Sequence, residues 1–292
     1  MTAPLTSSGT APKVSRAGHE WREAGEAWGR SPVDWACLYE HYASEVIAAI
    51  FSRTGIGPGV ELLDVACGAG LALRQARGNG AVVSGIDAAD ALLEVARERV
   101  PEADLRLGSM FDLPWPERSF DVVVSINGIW GGCVGALREM RRVIRPGGHV
   151  AISFWGDGTP LDSRAAFLVF AAHAPTGHVD GMRETNQIAH PGVAEAMLVD
   201  AGFDIVERGS RVSSIEWADA DVAWRALSSC GPAVPALDHS DPDRVRRDVL
   251  AAIDHCRTPS GMYRFRNDHQ YVIAVAPSDP PKTITKQRSE AS

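Results

Sequence analysis

The sequence predicts an α/β protein built on a mainly parallel sheet, and two observations carry that prediction. From about residue 60 to 155, apolar runs of strand length alternate with longer stretches of helical period. Inside that region a glycine-rich turn follows the first apolar run, and an acid stands at the tip of the second. The chain has 292 residues, 45% hydrophobic and 23% charged, which is enough to build a sizeable core without disulfides or a structural metal.

The elements follow in order. Strands are expected at 60–65, 81–86, 104–107, 121–126 and 149–154, with helices at 71–77, 91–100 and 135–144. Arg145-Pro146-Gly147-Gly148 stops the last helix, because Pro and Gly cannot continue it. Beyond residue 155 the pattern loosens into helices at 194–201, 219–229 and 242–255 and strands at 204–212 and 270–276. Ahead of the first strand, residues 20–53 carry Trp28, Trp35, Tyr39 and Tyr42 and read as one or two amphipathic helices. Residues 1–18 and 277–292 are rich in Pro, Ser, Thr and small residues and are expected to be disordered tails.

Charge and cysteine usage narrow the function classes. With 29 Lys+Arg against 37 Asp+Glu the net charge is −8, which argues against a nucleic-acid partner. The five cysteines are odd in number and show no CxxC spacing, so they read as free thiols in a reducing compartment, with no metal site. No basic segment followed by an apolar run marks a signal peptide at the start. The longest uncharged interior stretch, 122–137, has 16 residues, short of the ~20 that a bilayer needs. A soluble cytoplasmic protein without a membrane partner is expected.

The informative stretch is Glu61-Leu62-Leu63-Asp64-Val65-Ala66-Cys67-Gly68-Ala69-Gly70, followed by a helix and then Val82-Val83-Ser84-Gly85-Ile86-Asp87. Glycines at a strand-to-helix turn let the backbone approach a ligand and aim amide N–H groups at it. Asp87 lies 19 residues after Gly68, where it could accept the hydroxyl protons of a ribose. An adenosine-containing ligand is therefore expected. A nicotinamide dinucleotide would want a small third residue in G-x-G-x-x-G/A, and that position is Leu73. S-adenosylmethionine has no pyrophosphate and presents an amino-acid end that Asp64 could hold. A P-loop is excluded, since no Gly-Lys-Ser/Thr follows.

From about Glu61 to Trp155 the sequence resembles the class I S-adenosylmethionine-dependent methyltransferases, of the small-molecule type found in quinone and natural-product biosynthesis. Asp64-Val65-Ala66-Cys67-Gly68-Ala69-Gly70 is similar to the family's first motif and Val83–Asp87 to its ribose-binding motif. Gly108–Trp115 and Ser119–Val123 match its adenine-side loop and fourth strand, and Glu139–Gly148 its helix and turn before the fifth. The resemblance implies a Rossmann-like seven-stranded sheet of order 3-2-1-4-5-7-6 with the seventh strand antiparallel, and helical additions at the N-terminus and between strands six and seven. It divides a single domain, 19–276, into an N-terminal helical lid (19–57), a cofactor-binding core (58–155) and a region of substrate loops and the last two strands (156–276). Two departures stand out. Ala66 replaces the family's first glycine, and Ser109 replaces the acid that often bonds the adenine amino group.

The cofactor residues so implied are Asp64, Ala66, Gly68, Gly70, Asp87, Ala88, Ser109, Met110, Phe111 and Asn127. For Asp87 the plainer role is an N-cap for the next helix, and for Gly68 and Gly70 a turn. Trp28, Trp35, Trp130 and Trp155 are the candidate walls of an apolar substrate pocket, although Trp is generally a core residue. His190, His178 and His41 are the candidate general bases; each taken alone reads more readily as a surface histidine than as a catalyst. Methyl transfer is an in-line displacement that positioning and water exclusion can largely drive without a base. The expected acceptor is O, N or C of a small aromatic or apolar molecule, and a homodimer is the assembly to test. The alternative is a non-catalytic S-adenosylmethionine or S-adenosylhomocysteine binder acting as a partner subunit.

Overall fold

The computed structural model describes residues 17–158, 160–176 and 186–278. Seven strands form one sheet in the order β3-β2-β1-β4-β5-β7-β6. They are β1 (Glu61–Val65), β2 (Val82–Asp87), β3 (Asp104–Leu107), β4 (Phe120–Ile126), β5 (Ile144–Trp155), β6 (Asp204–Trp217) and β7 (Tyr263–Val275). The first five pair in parallel, and β7 runs antiparallel to both β5 and β6. Leu62, Leu63 and Val65 of β1 and Val122, Val123 and Val124 of β4 are buried, as expected for central parallel strands covered on both faces.

Two apolar layers sandwich the sheet. One face packs against α2 (Ser44–Thr54), α3 (Leu71–Gly78) and the helices of the later half, through Ile47, Ile50, Leu73 and Phe170. The other packs against α5 (Val134–Val143) and α7 (Val193–Asp200), through Leu137, Met140 and Leu198. Leu73, which stands where a dinucleotide fold has its third small residue, reaches over Gly85 of β2. A Cβ there would come within 2.9 Å of both the Leu73 Cδ1 and the Cys67 Sγ. The small residue that permits close helix–strand packing has thus moved from the helix to the strand.

Elsewhere the structure corrects the sequence reading in three places. The last two strands are longer than the expected 204–212 and 270–276, because they continue past the sheet as an antiparallel ribbon out to the pair Trp217 and Tyr263. The Pro146-Gly147-Gly148 stretch belongs to β5, where the register jumps between Phe120 and Val122 of β4. The N-terminal segment holds the two full helices expected, but irregular turns separate them. After α1 (Ala17–Trp28) comes a short turn at Pro32–Asp34, a π-helical turn at Trp35–Tyr39, a 3-10 turn at Glu40–Ala43, and only then α2. Helix α1 begins within the span expected as a tail, and the rest of that tail, 1–16, like 279–292, lies outside the described residues. The later additions are α6 (Arg164–His173) and, between β6 and β7, α8 (Ala220–Ser228), α9 (Val234–His239) and α10 (Pro242–Ala252). The remaining helix of the core, α4 (Asp90–Arg99), follows β2. Among the described residues no helix is long and apolar enough to cross a membrane.

Candidate active site

The crevice lies at the carboxyl ends of β1 and β4, where the winding of the sheet reverses. Three residues of the β1–α3 turn adopt left-handed backbone angles, Ala66 (φ 62), Gly68 (φ 54) and Gly70 (φ 82). Two are glycines, for which this conformation is unstrained; Ala66 bears a cost. The turn is tied to β2 by Asp87, whose Oδ2 accepts from the Gly68 N–H at 2.7 Å. Its Oδ1 accepts from the Ala89 N–H at 2.8 Å, so the acid also caps the approach to α4. Burial raises the Asp87 pKa, and these amide bonds oppose the rise.

Asp64 is the most informative residue of the site. It is 1% exposed, and its Oδ1 has no hydrogen-bond partner among the described residues. Its pKa is pushed well above the usual carboxylate range, by burial first and then by the neighbouring charges of Asp87 and Glu40. Three acids therefore surround one turn, and among the described residues Glu40 alone of the three pairs with a cation, Arg99. Such a cleft favours a positively charged ligand and opposes a pyrophosphate.

The N-terminal segment lies across the turn. Arg99 of α4 fastens it, donating to Ala69 O at 3.0 Å in the turn, to Ala36 O at 2.8 Å and to the Glu40 carboxylate. Trp35 comes down over the glycines, so that a Cβ on Gly68 would sit 3.7 Å from its Nε1. Helix α1 seats Gly25 on the Ala88 carbonyl, where a Cβ would clash at 1.9 Å. The structure thus places Ala88 beneath α1. In the loop after β3, Ser109 is half-buried and its Oγ accepts from the Phe111 N–H at 3.2 Å. Met110 packs on the core, and Phe111 is exposed.

Asn127, just past β4, is held in a left-handed conformation (φ 56) and anchors a polar cluster. Its Nδ2 donates to Tyr42 Oη at 2.6 Å. Its Oδ1 receives the Ser153 hydroxyl at 3.3 Å and lies 2.7 Å from His269 Nε2. Trp155 stacks on Tyr42 at 4.5 Å and on His269 at 5.1 Å. Trp28 and Trp35 meet edge to face at 4.9 Å, and Trp35 stacks on Tyr39 at 5.4 Å. Three of the four candidate tryptophans are therefore joined in one aromatic group over the crevice, while Trp130 is 39% exposed.

Neither His41 nor His190 joins this group. His41 is exposed on its 3-10 turn, and His190 is exposed and faces Asp157 at 3.4 Å; His178 lies outside the described residues. The residues missed are Tyr42, as more than a lid aromatic, and His269. A period-two reading of Tyr263-x-Phe265-x-Asn267-x-His269-x-Tyr271 would have found the histidine on the buried face of β7. The cysteines are free, as expected. Away from the crevice, donor atoms of Asp162, His255 and Cys256 lie within 4.8 Å of one another. There Asp162 Oδ2 already accepts the Arg266 N–H at 2.7 Å.

Strand order, glycine turn and strand-tip acid together define the class I S-adenosylmethionine-dependent methyltransferase fold, and the chain carries that family's core. Residues 63–152 match the family model described as a methyltransferase domain. The chain is 38% identical over 109 residues to the demethylmenaquinone methyltransferase of Staphylococcus aureus, covering 35% of this chain and 45% of that one. It is 36% identical over 131 residues to the dTDP-4-amino-2,3,4,6-tetradeoxy-D-glucose N,N-dimethyltransferase of Saccharopolyspora spinosa, covering 42% and 49%. The match thus spans about half the length of these curated relatives. Among solved structures, the YcgJ protein of Bacillus subtilis superposes with a TM-score of 0.57 at 13% identity, over 81% of this chain and all of that one.

Proposed function

We propose that this protein transfers a methyl group from S-adenosylmethionine to O, N or C of a small aromatic or apolar molecule. The observation that carries the reading is the unpartnered, buried Asp64 oxygen beside a glycine turn already crowded with acids. S-adenosylmethionine brings a sulfonium and an ammonium group, and a cation there restores the ionised carboxylate that burial disfavours. A nicotinamide dinucleotide would bring two phosphate charges into the same place.

Each residue then has a task. Asp87 retains lone pairs beyond its bonds to Gly68 and Ala89 and can take the ribose hydroxyls. Asp64 holds the ammonium end, and the Gly68–Gly70 turn leaves room for it. Ala88, Ser109, Met110 and Phe111 border the adenine, with main-chain groups replacing the acid absent at Ser109. Bound S-adenosylmethionine supplies an electrophilic methyl, which a nucleophile attacks in line. Trp35, Tyr42 and Trp155 exclude water and fix the acceptor against the methyl, so positioning and desolvation supply most of the acceleration. The matched relatives, named for a quinone and an amino sugar, support a small-molecule acceptor.

A second reading, a binding subunit without catalysis, draws on the close packing of Trp28, Trp35, Tyr39 and Tyr42 above the turn. Calorimetry with S-adenosylmethionine, S-adenosylhomocysteine and NAD tests the cofactor, with binding of the first two and none of the third expected. Tight NAD binding would overturn it. Label transfer from methyl-tritiated S-adenosylmethionine to any acceptor excludes the second reading.

A further inference from the structure

We propose that His269 accepts the proton of the substrate nucleophile, and that the methyl acceptor is a hydroxyl or amine on an aromatic molecule rather than a carbon. This rests on the methyl-transfer reading and deepens it.

The argument begins with hydrogen-bond accounting. His269 is fully buried on the inward face of β7. Its Nε2 lies 2.7 Å from Asn127 Oδ1, an amide oxygen that can only accept, so the ring proton sits on Nε2 and Nδ1 carries a lone pair. That Nδ1 has no hydrogen-bond partner among the described residues. An unpaired buried acceptor carries a desolvation cost that a hydrogen-bonding ligand offsets. Burial lowers its pKa to about 3, so the ring is neutral in the empty site and a weak base; the proton it would receive belongs to an acceptor made strongly acidic by methylation.

Position supplies the second line. Asn127 follows β4 at the crevice and is fixed from three sides, by Ser153, Tyr42 and His269. Tyr42 in turn meets Trp35 at 6.3 Å, and Trp35 covers Gly68. The histidine is thus linked through two rings to the turn where the methyl donor would lie. Trp155 stacks on it with planes 22° apart, and Tyr42 stacks on Trp155 at 27°, so its surroundings are flat and aromatic and favour a flat aromatic acceptor.

The step balances without another reagent. The O or N lone pair forms a bond to the methyl carbon as the carbon–sulfur bond breaks, and that bond's electron pair returns to sulfur. The O–H or N–H proton passes to Nδ1. Positive charge leaves the sulfonium and appears on the imidazolium, so the net charge of the site is conserved. The imidazolium gives its proton to water when the products leave.

The decisive variant is His269→Gln, whose side-chain amide can still donate to Asn127 Oδ1 but offers no lone pair at the Nδ1 position. The full chain would be assayed with tritiated S-adenosylmethionine against phenols, aromatic amines, aromatic thiols and electron-rich arenes lacking O–H and N–H. The proposal expects label on O or N, with kcat of the variant down by roughly 10²–10⁴-fold and KM and S-adenosylhomocysteine affinity within about threefold. A variant rate within fivefold of wild type, or label only on carbon or sulfur, overturns it. Nitrogen-15 NMR of histidine-labelled protein, titrated with 4-nitrophenol and with aniline, decides the matter if no acceptor in the set turns over. Movement of the Nδ1 resonance with Nε2 unmoved supports the assignment, and no movement with either probe overturns it. Failure of the underlying reading has a different signature, the absence of S-adenosylhomocysteine binding by wild type.

Discussion

Asp64 makes the clearest statement at the scale of one residue. Its folded pKa is raised, so the folded state holds a proton that the unfolded chain has lost, and the stability of the empty protein falls as pH rises through the raised value. Asp64→Asn keeps the shape and removes the charge. We expect a higher melting temperature than wild type at pH 8 without ligand, and S-adenosylhomocysteine affinity weaker by about 1.5–3 kcal/mol, the worth of a charge-assisted hydrogen bond. Melts and calorimetry on the same samples check both halves. His269 has the opposite sign. Burial lowers its pKa to about 3 from an ordinary 6.5, so its contribution is complete above pH 6.5 and is lost as pH falls towards 3. At pH 5 the wild type should have lost about 2 kcal/mol through this group, a loss that His269→Gln should not show in urea titrations at pH 7 and 5. Both residues were unevenly legible. Asp64 sits in a motif, whereas His269 is embedded in Asn267-Asp268-His269-Gln270, a polar run with no signature, and its partner Asn127 is 142 residues away.

Between elements, the Arg99 bonds decide whether the N-terminal segment stays closed. Arg99 and Glu40 are largely buried, at 18% and 7% side-chain exposure, so removing the cation leaves an uncompensated carboxylate. Arg99→Ala should cost about 3 kcal/mol and speed amide exchange across 36–43; adding Glu40→Gln should recover part of the stability. If exchange in that segment were unchanged, Arg99 would not be its fastening. A milder probe is Gly25→Val, which cannot approach the Ala88 carbonyl. Exchange should rise in α1 alone, with the melting temperature of the core nearly unaltered. The sequence revealed β1 to β4 to within a residue or so; for β1, β2 and β4 the reason is that largely buried strands are near-continuous apolar runs bounded by turns, whereas β3 is a short exposed edge strand. It under-read β6 and β7, whose outer halves alternate Arg264, Arg266 and Asp268 with Phe265 and Asn267 and resemble surface loops. The irregular turns from Pro32 to Ala43 left no periodic trace, since each spans five residues or fewer.

Over the whole molecule, charge and topology favour the same class of ligand. A chain of net charge −8 concentrates Asp64, Asp87 and Glu40 at the one place where the sheet reverses direction, and the cationic cofactor gains where an anionic one is repelled. Asp87→Ala should weaken S-adenosylmethionine binding at least tenfold by calorimetry, and it also cuts the tie between the glycine turn and β2, so part of the loss should appear as faster exchange at Gly68. The order of strands was legible only through the family resemblance that five motifs in sequence carried, and the sheet has the order it implied. Of the aromatic group, Trp28, Trp35 and Trp155 were named from the sequence, but their joining through Tyr42 was not legible, since these residues come from opposite ends of the core.

Trp35 has one last consequence. An indole lying on the turn that receives the ligand must change surroundings whenever that turn fills, which makes its emission an intrinsic gauge of occupancy. Difference spectra between wild type and Trp35→Phe would isolate that signal from the other seven tryptophans, and stopped-flow recording would then time arrival and departure without any chemical label.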